Sequence, residues 1–112
     1  MTVREITDRL GLRVFSGASG LDREVTGGYV SDLLSDVMGF AREGSVWVTL
    51  QTHKNVMAIA TLKDLAAVVI VKGLEPEEDA REVSDEEGIP ILGAGEQTFE
   101  LAGEIYNLLR NG

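Results

Sequence analysis

The chain has 112 residues, ten Lys or Arg against 19 Asp or Glu, a formal charge of −9 and no cysteine. That length holds one domain, which the 44% hydrophobic fraction can supply with a core. The acidic balance argues against a nucleic-acid surface, because phosphate backbones demand a basic face, and the lack of cysteine removes disulfides, thiol nucleophiles and thiolate metal sites.

Along the chain, Thr2 and Glu5 make a capping-box pattern, and Val3, Ile6 and Leu10 then fall on one helical face until Gly11 ends it. Leu12 to Phe15 reads as a short strand and Ser16 to Gly20 as a small polar turn. A strand is expected to enter near Val25, followed by a short helix from Ser31 that carries Val37 and Met38 inward and stops before Gly39. From Ser45 the pattern becomes regular. Strands are predicted at Val46–Leu50, Val68–Val71 and Ile89–Leu92, and helices at Asn55–Leu62, from Pro76 to Gly88, and from Glu96 to Arg110 with an Asn111-Gly112 cap. Strands alternating with helices across short connections predict a single α/β domain over residues 1–112, with a mainly parallel sheet of about five strands. No apolar run approaches the ~20 residues of a membrane span. The N-terminus lacks a signal-peptide core, so a cytoplasmic protein with no membrane partner is expected.

Two groups of residues are candidates for chemistry. In the segment from Leu21 to Val30, two glycines interrupt β-forming residues. They mark either a bulge or a close approach by a ligand or another backbone. In the ligand reading Gly27 and Gly28 expose peptide N–H groups, Asp22 and Arg23 supply charge, and Thr26 supplies a hydroxyl. In the structural reading the same residues shape a corner. Both readings expect alanine to be poorly tolerated at one or both glycines. The second group is the rim beyond the carboxyl ends of the strands, where open α/β sheets bind ligands: Gln51, Thr52, His53 and Lys54, then Lys72 and Gly73, then Gly93 to Gly95. These segments read equally as ordinary strand-to-helix loops.

Other patterns carry less. The Gly93–Thr98 stretch lacks the third glycine of a dinucleotide fingerprint and reads as a turn. His53 is the single histidine and cannot build a multi-histidine metal site. The acidic run from Glu75 to Glu87, opposed by Arg81, reads as a solvated helix face, and Trp47 as core. Gly103, midway along the last helix, permits close packing against the sheet or a second subunit.

Asp22, Arg23, Thr26, Gly27 and Gly28, with Val25 also fitting, resemble the signature of the DRTGG domain family. The resemblance runs over most of the chain. It implies a fold similar to the N-terminal domain of HPr kinase/phosphorylase, and relatives joined to CBS domains, phosphotransacetylases and cobyrinic acid synthase-like proteins. This chain looks like a short stand-alone member, of a type associated with anaerobes and sometimes with hydrogenase gene clusters. Such members are sometimes labelled serine kinases of HPr, but the sequence lacks the Gly-x-x-x-x-Gly-Lys-Ser/Thr loop that would hold ATP phosphates. The expectation is a regulatory or sensory module without catalysis or cofactor. It would bind a small anionic or nucleotide-like ligand, act through an unidentified protein partner and form a homodimer. The alternatives are an interaction module with no ligand and a small enzyme using Asp22 or His53 as acid or base.

Overall fold

A capping box opens the chain's first helix, α1 (Val3–Leu10): the Thr2 hydroxyl accepts from the Glu5 N–H while the Glu5 carboxylate accepts from the Thr2 N–H. That contact also holds the Glu5 carboxyl below its ordinary range. Gly11 ends the helix in a left-handed turn. The remaining elements are β1 (Arg13–Ser16), a 3₁₀ turn over Ala18–Gly20, β2 (Gly27–Val30), α2 (Leu34–Phe40), β3 (Ser45–Thr49), α3 (Asn55–Leu62), β4 (Ala67–Ile70), α4 (Glu78–Glu87), β5 (Ile91–Gly93) and α5 (Thr98–Asn111). The structure, a computed structural model, describes residues 1–111; the cap expected at Gly112 lies outside them.

The five strands form one sheet in the order β1-β5-β4-β3-β2. The four strands β2, β3, β4 and β5 run parallel, and β1 is added antiparallel to β5 with a bulge between Val14 and Ser16. This is the mainly parallel α/β domain that the strand–helix alternation predicts.

β3 and β4 are buried along their whole length, which is why they read as continuous β-branched runs. Alternation splits their side chains between two cores. Val46, Val48, Ala67 and Val69 face a layer built with α1 and α5, where Val3, Ile6, Leu101 and Ile105 pack. Trp47, Val68 and Ile70 face the other layer, with Val37, Val56, Met57, Ile59 and Ala80. Trp47 is fully buried, and its indole N–H donates to the Ser31 carbonyl at 2.8 Å. In α2, Val37 is buried as expected, but Met38 is 39% exposed and the helix runs through Gly39 to Phe40. Glycine lowers helix propensity without forbidding the conformation. Among the described residues, no helix is long and apolar enough to cross a membrane.

Of the two roles the sequence offers the glycine pair, the bulge is absent. Gly27 and Gly28 pair in unbroken register with Ser45 and Val46, so there is no bulge in β2, and neither has positive φ. A Cβ at Gly27 would meet nothing within 4 Å, and one at Gly28 only the Val46 carbonyl oxygen at 3.7 Å. Gly20, like Gly17, Gly44 and Gly93, is crowded instead: its Cβ would collide with the carbonyl oxygen of Gly88. Gly27→Ala and Gly28→Ala are therefore expected to leave monomer stability unchanged or raise it by up to ~1 kcal/mol, since glycine in a strand costs backbone entropy. Gly20→Ala should cost about 1–3 kcal/mol from overpacking. Urea unfolding of the three variants checks this ranking.

Candidate functional site

The segment holding the Asp-Arg-x-x-Thr-Gly-Gly pattern runs beside the start of the chain. The N–H groups of Val3 and Arg4, which lack partners inside α1, donate to the carbonyls of Arg23 and Leu21 at 3.0 and 2.7 Å. Val25 N–H donates back to the Met1 carbonyl at 2.8 Å. Asp22 accepts from Arg4 Nε at 2.9 Å, and this hydrogen bond holds its carboxyl below the ordinary range.

Arg23 reaches across to the end of α4. Its Nε donates to the Gly88 carbonyl at 2.8 Å and its Nη2 to the Glu87 carbonyl at 3.4 Å, while Nη1 pairs with Asp64 at 3.2 Å. The last carbonyls of a helix have no internal partner, and a guanidinium fork is well shaped to satisfy two of them. The Thr26 hydroxyl donates to the Glu43 carbonyl at 2.8 Å. Between these residues lies a shallow cleft of about 290 Å³, lined by Arg23 and Thr26 but also by Glu24, Glu43 and Asp64. One engaged guanidinium among three carboxylates is a poor anion site. The charge that the sequence reading assigned to a ligand is used by Asp22 and Arg23 to join α1, α4 and the loop after α3.

The remaining sequence candidates lie at the opposite end of the sheet, beyond the carboxyl ends of β3 and β4. The structure does bring them onto one rim: Glu77 N–H donates to the Thr52 carbonyl at 2.9 Å, tying the loop after β4 to the loop after β3. Lys72 and Gly73 are in turn fixed to the loop after β5, through bonds of 2.8 and 2.9 Å to the Glu96 and Ala94 carbonyls. The organiser of the rim is Asp32, which the sequence reading passed over. Its carboxylate accepts from the Thr49 hydroxyl and the Leu50 N–H, both at 2.9 Å, and its carbonyl accepts from Gln51 Nε2 at 2.8 Å. An aspartate just past an expected strand was the available signal. Beside it, Lys54 precedes α3 without any side-chain cap, and the buried Nδ1 of His53 has no hydrogen-bond partner among the described residues. No cluster of three or more His, Cys, Asp or Glu suited to a metal occurs among the described residues.

A third feature lies between β2 and α5. An apolar groove of about 360 Å³ is lined by Gly28, Val30, Val48, Phe99, Gly103 and Tyr106, among others. Gly28 and Gly103, both flagged by sequence, face the same space, and a Cβ at Gly103 would meet nothing within 4 Å. The sequence reading did not place Phe99 or Tyr106 there; their spacing of seven around Gly103 was the signal, since it returns both to one helix face.

Arg23→Ala is expected to destabilise the domain by about 1–3 kcal/mol, because the carbonyls of Glu87 and Gly88 lose a charged donor. Asp22, whose carboxyl is depressed, contributes stability above the unfolded-state carboxyl pKa that is lost as pH falls through the folded value. Asp22→Asn should therefore lower the melting temperature at pH 7 and converge with the parent under acid conditions, as read by thermal melts across pH.

No family model matches the chain, and no curated protein matches it. Among solved structures, the chain is similar to the CBS and DRTGG domains of the regulatory region of Clostridium perfringens pyrophosphatase, complexed with its activator diadenosine tetraphosphate. The TM-score is 0.70 at 12% identity, over 93% of this chain and 45% of that one, so this chain spans less than half of the neighbour's length. At that identity the likeness is one of fold, and it supports the DRTGG-like fold that the motif implies.

Proposed function

We propose that this domain is a non-catalytic regulatory module that binds a small anionic, nucleotide-like ligand at the carboxyl rim of its sheet and acts through a partner protein. The observation that carries the reading is the rim itself. The unpartnered Nδ1 of His53 stands beside the uncapped start of α3, in loops shared with Thr52 and Lys72. The Val56 and Met57 N–H groups at the start of α3 are taken by the His53 and Lys54 carbonyls. It is therefore the lysines Lys54 and Lys72 that favour an anion at this rim within an otherwise acidic chain. The fold neighbour, a regulatory region complexed with a dinucleoside tetraphosphate, supports the same class of ligand. Catalysis is not part of this reading: Asp22 is held by Arg4, and His53 has no orienting carboxylate bonded to it among the described residues. The second reading, an interaction module with no ligand, is favoured by the apolar groove beside β2.

Thermal shift with inorganic phosphate, acetyl phosphate, AMP, ATP and diadenosine tetraphosphate separates the two. A ligand at 100 times its dissociation constant adds about 2.7 kcal/mol to the stability of a binding protein. His53→Ala and Lys72→Ala should diminish that shift, whereas Arg23→Ala should keep it on a lower baseline. A flat response across the panel would favour the interaction module.

A further inference from the structure

The two edges of the sheet are built differently. β1 is blunted by its bulge and by Arg13, whose guanidinium lies over the Phe15 ring at 4.5 Å and pairs with Glu75 at 3.5 Å. Bulges and charges are the usual protection of an edge strand. β2 has neither: Gly27-Gly28-Tyr29-Val30 contains no charge and no proline, and its register is unbroken. At the end of the strand Ser31 N–H donates into the sheet, to the Val48 carbonyl, and on the far side of β3 the Thr49 carbonyl accepts from the Val71 N–H, so Val48 faces β2. By alternation, Tyr29 and Gly27 turn their N–H and C=O groups toward β3, and Gly28 and Val30 turn theirs outward.

The flank of this open edge toward α5 is apolar. On the α5 side, Phe99 is 85%, Tyr106 62% and Val30 50% exposed, and no charged residue lines the groove they share. On the α2 side, Phe40 is 72% exposed beside Arg42 and Glu43, whose charges are opposite. For a chain of charge −9, this is the face where a second copy meets least repulsion. An aromatic side chain covers ~150–250 Å² when buried. Three exposed aromatics with Val30 and the strand edge thus approach the ~800 Å² per partner of a standard interface.

We propose that β2 is the self-association edge of this protein, pairing antiparallel with β2 of a second copy about a two-fold axis through Gly28. In that register Gly28 of each copy exchanges both backbone hydrogen bonds with Gly28 of the other, their Cα atoms ~5.5 Å apart. Gly27 of each copy faces Tyr29 of the other as the close, non-hydrogen-bonded pair, with Cα atoms ~4.5 Å apart. The two five-stranded sheets become one of ten strands. The space left by the missing side chains at Gly28 and Gly103 receives the Phe99 and Tyr106 rings of the opposite copy. The geometry is isologous, so it closes at two subunits. It rests on the reading of the domain as a relay to a partner, and names that partner as a second copy of the chain.

Light scattering of the ligand-free chain tests this separately from ligand binding. At micromolar concentration the wild type should give twice the 12.1 kDa chain mass. Phe99→Glu and Val30→Lys, at exposed positions that leave folding intact, should each weaken association about 30-fold or more, as central interface anchors do. The amide of Gly28 should exchange slowly with deuterium in the dimer and rapidly in Phe99→Glu. A wild-type mass of one chain up to ~100 μM overturns the proposal and leaves the edge to a different partner. A dimer indifferent to both substitutions, or one with fast exchange at Gly28, also overturns it by moving the interface to another face.

Discussion

The segment between β1 and β2 is locked onto the end of α4 at one corner, where Gly20 meets Gly88 and Arg23 covers the last carbonyls. The contact admits no side chain on Gly20, because its Cβ would fall on the Gly88 carbonyl. Gly88 itself ends α4 in a left-handed turn, and the carbonyls exposed by that ending are the acceptors that Arg23 uses. Close by, the Ser16 hydroxyl donates to Ser84 Oγ, which donates to the Ile89 carbonyl, while Gly17 N–H donates to Asp85. Polar groups at a packed junction are costly unless paired, and here each has a partner. Asp85, within a helix otherwise read as a solvated acidic face, is thus part of the corner.

That arrangement gives the most distinctive stretch of sequence a structural role. Asp22, Arg23 and Thr26 each bind a different neighbour: Arg4 of α1, the carbonyl end of α4, and the Glu43 carbonyl before β3. These neighbours are far apart in sequence, so local pattern alone left corner and anion cradle both open. The parallel direction of the strands separates this corner from the loops that follow β3 and β4, and places the two sets of candidate residues at opposite ends of the sheet.

The sheet is asymmetric in a second sense. Its interior strands are sealed on both faces by helices, its β1 edge is bent and charged, and its β2 edge is straight, apolar and open. A module that receives a ligand at the carboxyl rim and associates through β2 would connect the two directly. Ser31 and Asp32 follow β2, and Asp32 is the residue that gathers the rim through Thr49, Leu50 and Gln51. Any rearrangement of the rim would thereby reach the end of the edge strand within two residues.

Much of the architecture follows from short-range chemistry. The capping box at Thr2, the valine runs of β3 and β4 and the Gly88 stop are local preferences, and their alternation dictates a mainly parallel α/β domain whatever the details of packing. The same locality explains what was misjudged. A glycine announces only that a Cβ is absent; whether the vacated space is filled depends on residues distant in the chain. Gly20 is crowded by Gly88, 68 residues away, whereas Gly27 and Gly28 face open space. The sequence by itself determined the fold class, the element order and the residues of the rim, because each rests on periodicity or on turn chemistry within a few residues. Only the tertiary structure decided that Arg23 is a clasp, that Asp32 organises the rim, and that Gly28 and Gly103 open onto one apolar groove. Each of these is a contact between segments whose proximity arises from the sheet order.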